Sequence, residues 1–230
     1  FATQMSAQKP AGNLDTPMMR QWLQMKEQAP DCVLFFRMGD FYEMFFEDAK
    51  VGSRIMGVAL TSRDKASENP IAMCGVPHHS VNSYLARMIE AGFKVAVCDQ
   101  VEDPKLAKGL VKREITRVVS PGMFTDPNHL PAGDNRFLAA LFLGKEGWGL
   151  AHLDLASGEF AATSAAGGPA VLDELARLEP AELVLAEAQA AHPALAELGA
   201  ALARCPVTHS PGRPPRLNQA LDILDSRAPS

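Results

Sequence analysis

The segment FFRMGDFYEMFF, residues 35–46, holds the side chains whose chemistry most needs an explanation. It contains five of the chain's 11 phenylalanines, and phenylalanine is among the residue types most often buried in a core. Gly39, Asp40 and Glu43 nevertheless interrupt the aromatic run. Either these polar residues only begin and cap a helix, or some of the aromatic rings face a partner.

The sequence lacks the short motifs of several common catalytic classes. It contains no G-x-x-x-x-G-K-[ST] phosphate loop, no G-x-G-x-x-G after a strand and no G-x-S-x-G nucleophile turn. Its four cysteines are scattered without a C-x-x-C pair, which predicts reduced thiols in a cytoplasmic protein. The segment CGVPHH places Cys74 near two imidazoles but offers no second ligand pair, so no metal site is predicted.

Composition and charge describe a globular protein without a general preference for nucleic acid. The 230 residues are 47% hydrophobic and 21% charged. No apolar run approaches the roughly 18 residues of a membrane span, and the first residues lack the pattern of a secretion signal. Residues 128–230 supply the whole net charge of −5. Only residues 105–117, KLAKGLVKREITR, have the basic character of a nucleic-acid footprint.

The elements before the aromatic run follow from periodicity and from chain breakers. Thr16 and Pro17 predict the start of a helix, because threonine caps an N-terminus and proline suits the first turn. The apolar run of residues 32–38 predicts a buried strand, since both of its faces are apolar.

A helix over residues 41–56 is predicted to carry the aromatic run itself. Asp40 followed three residues later by Glu43 fits a capping box at the start of this helix. Helical spacing then predicts one buried stripe, made of Tyr42, Phe45, Phe46 and Ala49. Phe41 and Glu43 fall outside that stripe, in the first turn of the predicted helix.

Two units of mixed α/β architecture are predicted along the chain. The elements up to residue 120 run α-β-α-β-β-α-β-β, and the Pro- and Gly-rich stretch that follows is typical of a linker. We predict a flexible tail over residues 1–13, a first domain over 14–125, a linker over 126–135 and a second domain over 136–230.

The second domain opens with three strand-like runs separated by glycine turns, residues 137–143, 149–158 and 159–165. The predicted continuation is a helix over 170–178, a strand over 182–187, an Ala-rich helix near 188–203 and a short strand at 205–208. This order of elements is typical of the ribonuclease H architecture.

Asp154 raises the alternative of a metal-dependent nuclease. It lies in the second strand of the predicted ribonuclease H-like domain, where such an enzyme keeps a carboxylate, but the chemistry needs several acids around two metal ions. The available companions are Glu159, Asp173 and Glu174, and the sequence does not bring them together. The other reading of Asp154 is a polar residue on the outer face of a strand.

Several segments of the chain, in order, are similar to the amino-terminal part of bacterial MutS-type DNA mismatch-repair proteins. The resemblance covers residues 15–125 and extends into the second domain through GDNRFLAAL and GLAHLDLASGEF. Its segments include TPMMRQWLQMK, FFRMGDFYEMF, PIAMCGVPHHSVNSYLARMIEAG and KGLVKREITRVVSPG. It implies a mixed-sheet α/β mismatch-recognition domain followed by a ribonuclease H-like connector domain that is non-catalytic in this family.

The family's reading motif is Phe-x-Glu, which stands here as Phe41-Tyr42-Glu43. The resemblance implies that Phe41 enters the minor groove at a mispair and stacks on one base, while Glu43 hydrogen-bonds that base. Because phosphates repel a carboxylate, Glu43 is either protonated and donates to the base, or it accepts from a base N–H and penalises undistorted DNA.

Further contacts to phosphates or to the groove are expected from basic side chains, with a methionine supporting Phe41. These residues are Arg63, Lys65, Lys112, Arg113 and Met73. The alternative reading of the same residues is solvated surface bases and a core methionine.

The resemblance also implies what accompanies these two domains in the family. Family members carry a lever, a clamp and a dimerising ATPase that uses ATP and Mg²⁺, so this chain is expected to be a fragment that ends before the connector's final helix. Expected partners are double-stranded DNA with mispairs or small loops, a second copy in a full-length homodimer, and a MutL-type protein at the connector. No catalytic residue or cofactor is expected within this chain.

Overall fold

The computed structural model describes residues 16–63, 70–103, 109–126, 128, 135–145, 147–196, 198–199 and 205–211. The chain divides into two compact units, Phe1–Asp134 and Asn135–Ser230. The predicted tail over residues 1–13 and Lys65 lie outside the described residues, and the predicted domain limits stay predictions. None of the helices in the described part is both long and apolar enough to cross a bilayer.

The first unit is a mixed α/β domain, as predicted. Its elements are α1 Pro17–Gln28, β1 Val33–Met38, β2 Phe41–Phe45, α2 Phe46–Met56, β3 Thr61–Arg63, β4 Ile71–Pro77, α3 Val81–Glu90, β5 Val95–Gln100 and β6 Arg113–Val119. The six strands form one sheet in the order β3-β4-β2-β1-β5-β6. Strand β1 pairs antiparallel with β2 and parallel with β5.

Helices cover both faces of this sheet. Helix α1 packs on one face, where Trp22 belongs to the same buried cluster as Phe36 and Phe45. The predicted start of α1 is confirmed, because Thr16 Oγ1 accepts a hydrogen bond from Met19 N at 3.2 Å. Helices α2 and α3 contribute to a second buried cluster on the opposite face. The central strands are therefore buried on both sides, which explains their continuous apolar sequence.

The prediction of a helix over residues 41–56 is wrong in its first part. Residues Phe41–Phe45 form strand β2, and α2 begins only at Phe46. Strand β2 pairs with β1 on one side and with β4 on the other, so its backbone groups are satisfied by two sheet ladders. These long-range pairings outweigh the local capping pattern. Asp40 and Glu43 cap no helix, and the N-cap position of α2, Phe45, makes no side-chain cap hydrogen bond.

The second unit is also mixed α/β and follows the predicted order of its first elements. It contains β7 Phe137–Leu143, β8 Trp148–Asp154, β9 Phe160–Ala165, α4 Gly168–Leu178, β10 Glu182–Ala186 and β11 Val207–Ser210. Its sheet has the order β11-β10-β7-β8-β9. The first three strands are antiparallel, whereas β10 is parallel to both β7 and β11.

The helix predicted near residues 188–203 is wrong over residues 188–196. The chain there forms short 3-10 turns at Glu187–Gln189 and Pro193–Leu195, whereas Gly199 is helical and residues 200–203 lie outside the described residues. Pro193 explains the difference, because proline lacks an N–H group and clashes with the preceding turn of an α-helix. The last strand lies at Val207–Ser210, two residues later than the predicted start.

A buried ion pair connects three elements of the first unit. Asp48 of α2 has a side chain that is 1% exposed, and its carboxylate accepts hydrogen bonds from Lys26 Nζ of α1 at 2.9 and 3.1 Å. The same carboxylate accepts from Leu34 N of β1 at 2.9 Å. Burial raises the pKa of Asp48, while Lys26 and the Leu34 N–H lower it. The pair thus fastens two helices to the central strand.

Lys26→Met is expected to lower the free energy of unfolding of the first unit by about 3–5 kcal/mol, because it leaves an uncompensated buried carboxylate. Lys50→Met is the matched control, since Lys50 pairs with Glu47 at the surface of α2 and such pairs contribute less than about 1 kcal/mol. Urea unfolding followed by Trp22 fluorescence in a Trp148→Phe background measures both changes. Equal losses for the two variants would contradict this role of the ion pair.

Candidate nucleic-acid interface

Strand β2 presents two different faces along its length. Successive side chains of a strand point to opposite sides, so Phe41, Glu43 and Phe45 share one face, and Tyr42 and Met44 share the other. Tyr42 is 6% exposed and packs into the cluster beneath α2 and α3. Phe41, in contrast, is 48% exposed. The strand, rather than a helix, therefore places Phe41 and Glu43 side by side.

Helix α1 covers only part of the face that carries Phe41. At the far end of β2, the ring of Phe45 lies 5.9 Å from Trp22 in an edge contact and is fully buried. Phe41 stands at the other end of the strand and does not belong to the buried cluster around α1. The ring of Phe41 is thus exposed at the end of the sheet face that α1 does not cover.

A two-residue turn holds Phe41 at the tip of the β1–β2 hairpin. Gly39 has a φ of 58°, a backbone conformation that glycine adopts without steric cost. Met38 is paired with Phe41 across this turn. His78 N, just after β4, donates a hydrogen bond to Asp40 O at 2.9 Å. The tip that carries the exposed ring is therefore braced from a neighbouring strand.

Gly75 lies beside Phe41 and Glu43. It lies opposite Glu43 in the β2–β4 register. A Cβ atom at Gly75 would lie 3.7 Å from Glu43 Cγ and 4.0 Å from Phe41 Cδ1, which is ordinary van der Waals contact, so position 75 adjoins both residues. The sequence gives no signal for Gly75, because only the pairing of β2 with β4 brings it here. Met38 was also missed, although the turn at residues 39–40 implies that it faces Phe41.

The carboxyl group of Glu43 is desolvated and incompletely partnered. Its Oε2 atom is buried and makes no hydrogen bond within the described residues. Arg63 Nη1 lies 3.9 Å from Oε2, which is ion-pair distance but too long for a hydrogen bond. Burial raises the pKa of Glu43 above its usual value, and the positive charges of Arg63 and Arg113 act in the opposite direction. A carboxyl group in this setting can take up a proton and then donate a hydrogen bond.

Arg113 is buried, contrary to the reading of this residue as a solvated surface base. It is 5% exposed, and its guanidinium donates to Gln21 Oε1 at 2.8 Å and to Arg37 O at 2.6 Å. The guanidinium carbon lies 4.9 Å from the ring centroid of Phe36, a cation–π contact. These contacts use several of its donors and tie Arg113 to α1 and to the end of β1, and its predicted contact with DNA stays a prediction.

The remaining predicted contact residues have different surroundings. Lys112 is exposed, and its Nζ lies 2.6 Å from Glu114 Oε1. Met73 lies opposite Phe45 in the β2–β4 register and packs against the cluster around α1, so the register does not place it beside Phe41. Of the predicted residues that the structure describes, Phe41, Glu43 and Arg63 form one group.

Asp154 of the second unit braces a turn. It is 3% exposed, rather than lying on the outer face of its strand, and its Oδ1 accepts a hydrogen bond from Ala156 N at 2.8 Å. Glu159 lies 3.7 Å from His152 Nε2. Within the described part of the chain, no group of three or more His, Cys, Asp or Glu side chains could hold a metal ion. No observation favours the nuclease alternative.

Comparison with known proteins assigns both units. Residues 16–128 match MutS domain I, and residues 136–209 match MutS domain II. The chain is 53% identical to a DNA mismatch repair protein MutS of Desulfatibacillum aliphaticivorans over 172 residues, which are 75% of this chain and 19% of that protein. It is 50% identical to a protein of the same name from Symbiobacterium thermophilum over 184 residues, 78% of this chain and 21% of the relative. The chain therefore matches about a fifth of the length of these relatives.

Phe41→Ala is expected to change the free energy of unfolding by less than about 1 kcal/mol, because the ring lies largely outside the core. Phe45→Ala makes the same chemical change on the same strand face, but at a fully buried position. This control is expected to cost about 3–5 kcal/mol. Urea unfolding followed by circular dichroism measures both variants. A comparable loss for the two would show that Phe41 is a core residue.

Proposed function

The chain belongs to the MutS family of DNA mismatch-repair proteins, and we propose that its first unit binds DNA at a mispaired base. The observation that carries the proposal is the exposed ring of Phe41 at a braced hairpin tip, next to the desolvated carboxyl group of Glu43. In this proposal Phe41 enters the minor groove and stacks on one of the two mispaired bases. Glu43 hydrogen-bonds the same base.

The energetics of wedging favour a mispair over a matched pair. Inserting an apolar side chain between base steps costs a few kcal/mol of unstacking and kinks the duplex. A mispaired base has already lost part of its pairing energy, so insertion costs less there. Stacking on an aromatic ring returns about 1–3 kcal/mol per base and accepts any base. One wedge can therefore detect many mispairs through their deformability.

We propose that Glu43 acts in its protonated form. Three observations support this form: Oε2 is buried, it accepts no hydrogen bond from a described residue, and burial raises the pKa of Glu43. DNA phosphates would raise the pKa further, and the neutral carboxyl group could donate to an acceptor on the base. The alternative is that an ionised Glu43 accepts from a base N–H and repels undistorted DNA.

Basic residues of the first unit are proposed to contact the DNA backbone. Arg63 and Lys112 are the described candidates, because Arg63 stands beside Glu43 and Lys112 is exposed. Lys65 remains a proposal from sequence alone. Arg113 is proposed to act indirectly, by holding the hairpin through Arg37. Contacts of this kind position the protein on the duplex and make binding dependent on salt.

The wider role is proposed for the complete protein. The second unit is proposed to link mismatch recognition to an ATPase and to dock a MutL-type partner, in a cytoplasmic homodimer. This chain has no G-x-x-x-x-G-K-[ST] sequence that could hold ATP with Mg²⁺.

Phe41→Ala is expected to weaken binding of the complete protein to a duplex with one G·T mispair by about 5- to 150-fold, the loss of ~1–3 kcal/mol of base stacking. Affinity for the matched duplex should change little, so discrimination is lost. Phe142→Ala is the control, because Phe142 is a similarly exposed phenylalanine of the second unit. Fluorescence anisotropy with labelled duplexes measures both. Discrimination that survives Phe41→Ala would overturn the wedge assignment.

The protonated form of Glu43 predicts a pH dependence with a defined sign. Between the pKa of Glu43 in the free protein and its higher pKa in the complex, wild-type affinity for the G·T duplex should fall as pH rises, by up to about tenfold per pH unit. Glu43→Gln keeps a neutral donor and should bind with little dependence on pH. A Glu43→Gln variant that binds the mispair far more weakly than wild type at every pH would contradict protonation.

A further inference from the structure

Arg63 is the loosely held cation of the Phe41–Glu43 site. Its Nη1 lies 3.9 Å from Glu43 Oε2, and both side chains are partly exposed. The distance allows electrostatic attraction without a hydrogen bond, so Arg63 can leave without breaking a directional contact. Glu43 Oε2 keeps no hydrogen bond from another described residue when it does.

Among the described residues, the charges that face Glu43 come from two strands. Arg63 approaches from β3, and Arg113 acts from β6. The neighbours of Glu43 across the ladders, Phe36 of β1 and Gly75 of β4, carry no charge. Arg113 is tied to Gln21 and Arg37 and stays in place. Arg63 is therefore the cation whose position can control the charge of Glu43.

We propose that Arg63 is a specificity-determining residue that changes partners when mispaired DNA binds. In the free protein its guanidinium holds Glu43 ionised, and in the complex a DNA phosphate takes the guanidinium, so that Glu43 takes up one proton from solvent and donates it in a hydrogen bond to the base. This inference rests on the proposed function of Phe41 and Glu43.

The exchange is favourable because phosphate is the better partner for Arg63. A guanidinium can form two parallel charge-assisted hydrogen bonds with phosphate oxygens, whereas its contact with Glu43 is a single long approach. The abandoned carboxylate is desolvated and lies near the phosphates, and both conditions favour its neutral form. Arg63 remains protonated throughout, so the only proton that moves is the one gained by Glu43.

The exchange couples base reading to backbone binding. While Arg63 stays on Glu43, the carboxylate remains charged and disfavours close approach of the DNA. When insertion of Phe41 brings the backbone close enough for a phosphate to bind Arg63, Glu43 becomes a hydrogen-bond donor. A duplex that resists insertion leaves Glu43 in its repelling form. Arg63 thereby makes the chemical state of Glu43 depend on the deformability of the DNA.

Proton uptake on binding tests the exchange directly. The complete protein is titrated calorimetrically with the G·T duplex at one pH in two buffers of different ionisation enthalpy, and the difference gives the number of protons bound. Wild type is expected to take up as much as one proton, and Glu43→Gln none. Arg63→Gln should take up fewer protons than wild type, because its Glu43 is already more protonated before binding.

Two further variants test whether reduced proton uptake is specific to Arg63 or follows from the loss of any positive charge near the DNA. Lys112→Gln removes another candidate phosphate contact, and like Arg63→Gln it should reduce the salt slope of binding by about 0.9. Unlike Arg63→Gln, it should leave proton uptake at the wild-type value. Arg63→Lys keeps the positive charge and should restore most of the uptake. Circular dichroism confirms that each variant is folded.

The outcomes distinguish this inference from the proposed function. Wild-type proton uptake in Arg63→Gln would overturn the partner exchange and leave the protonation of Glu43 standing. No uptake in wild type would overturn both the exchange and the protonation of Glu43. In either case, loss of mismatch discrimination in Phe41→Ala would still support the role of Phe41 as the wedge. Reduced uptake in Arg63→Gln together with wild-type uptake in Lys112→Gln supports the exchange.

Discussion

The pairing of β2 with a strand on each side is the constraint on which the first unit depends. A buried strand must satisfy its backbone N–H and C=O groups, and Phe41–Phe45 does so through β1 and β4. Once both ladders form, the direction of every side chain is fixed. Tyr42 and Met44 enter the core beneath α2 and α3, and Phe41 and Glu43 lie on the opposite face. Helix α1 buries that face at Phe45 but not at Phe41, so the register and the partial cover by α1 together expose the ring.

The charged side chains of the first unit differ in whether hydrogen bonds fix their positions. Asp48 and Lys26 share direct hydrogen bonds in the interior, so their charges fasten elements together. Arg113 is equally fixed, by contacts to side-chain and backbone oxygens. Glu43 and Arg63 stand apart from this pattern, because they attract each other without a hydrogen bond. Because no hydrogen bond joins Glu43 and Arg63, the protonation of Glu43 or the partner of Arg63 can change without disturbing the fold.

The two wrong helix predictions show where local patterns mislead. Over residues 41–56, the spacing of Tyr42, Phe45, Phe46 and Ala49 fits a helix, but the alternation of Tyr42 and Met44 against Phe41 and Glu43 fits a strand equally well. Only partners distant in sequence decide between them. Near residues 188–203 the Ala-rich composition favours a helix, yet Pro193 lies within it. There proline opposes the α-helix more strongly than the alanine-rich composition favours it.

The sequence by itself determined the elements whose signals are local, such as the capped start of α1 at Thr16 and strand β7, Phe137–Leu143. Through the Phe-x-Glu motif it also indicated Phe41 and Glu43 as the candidate site. Only the tertiary structure decided that these two residues share a strand face, that Gly75 lies beside them, that Arg113 is buried and that Arg63 reaches Glu43. The physical reason is that these relations depend on sheet pairing and burial, which join residues far apart in the chain.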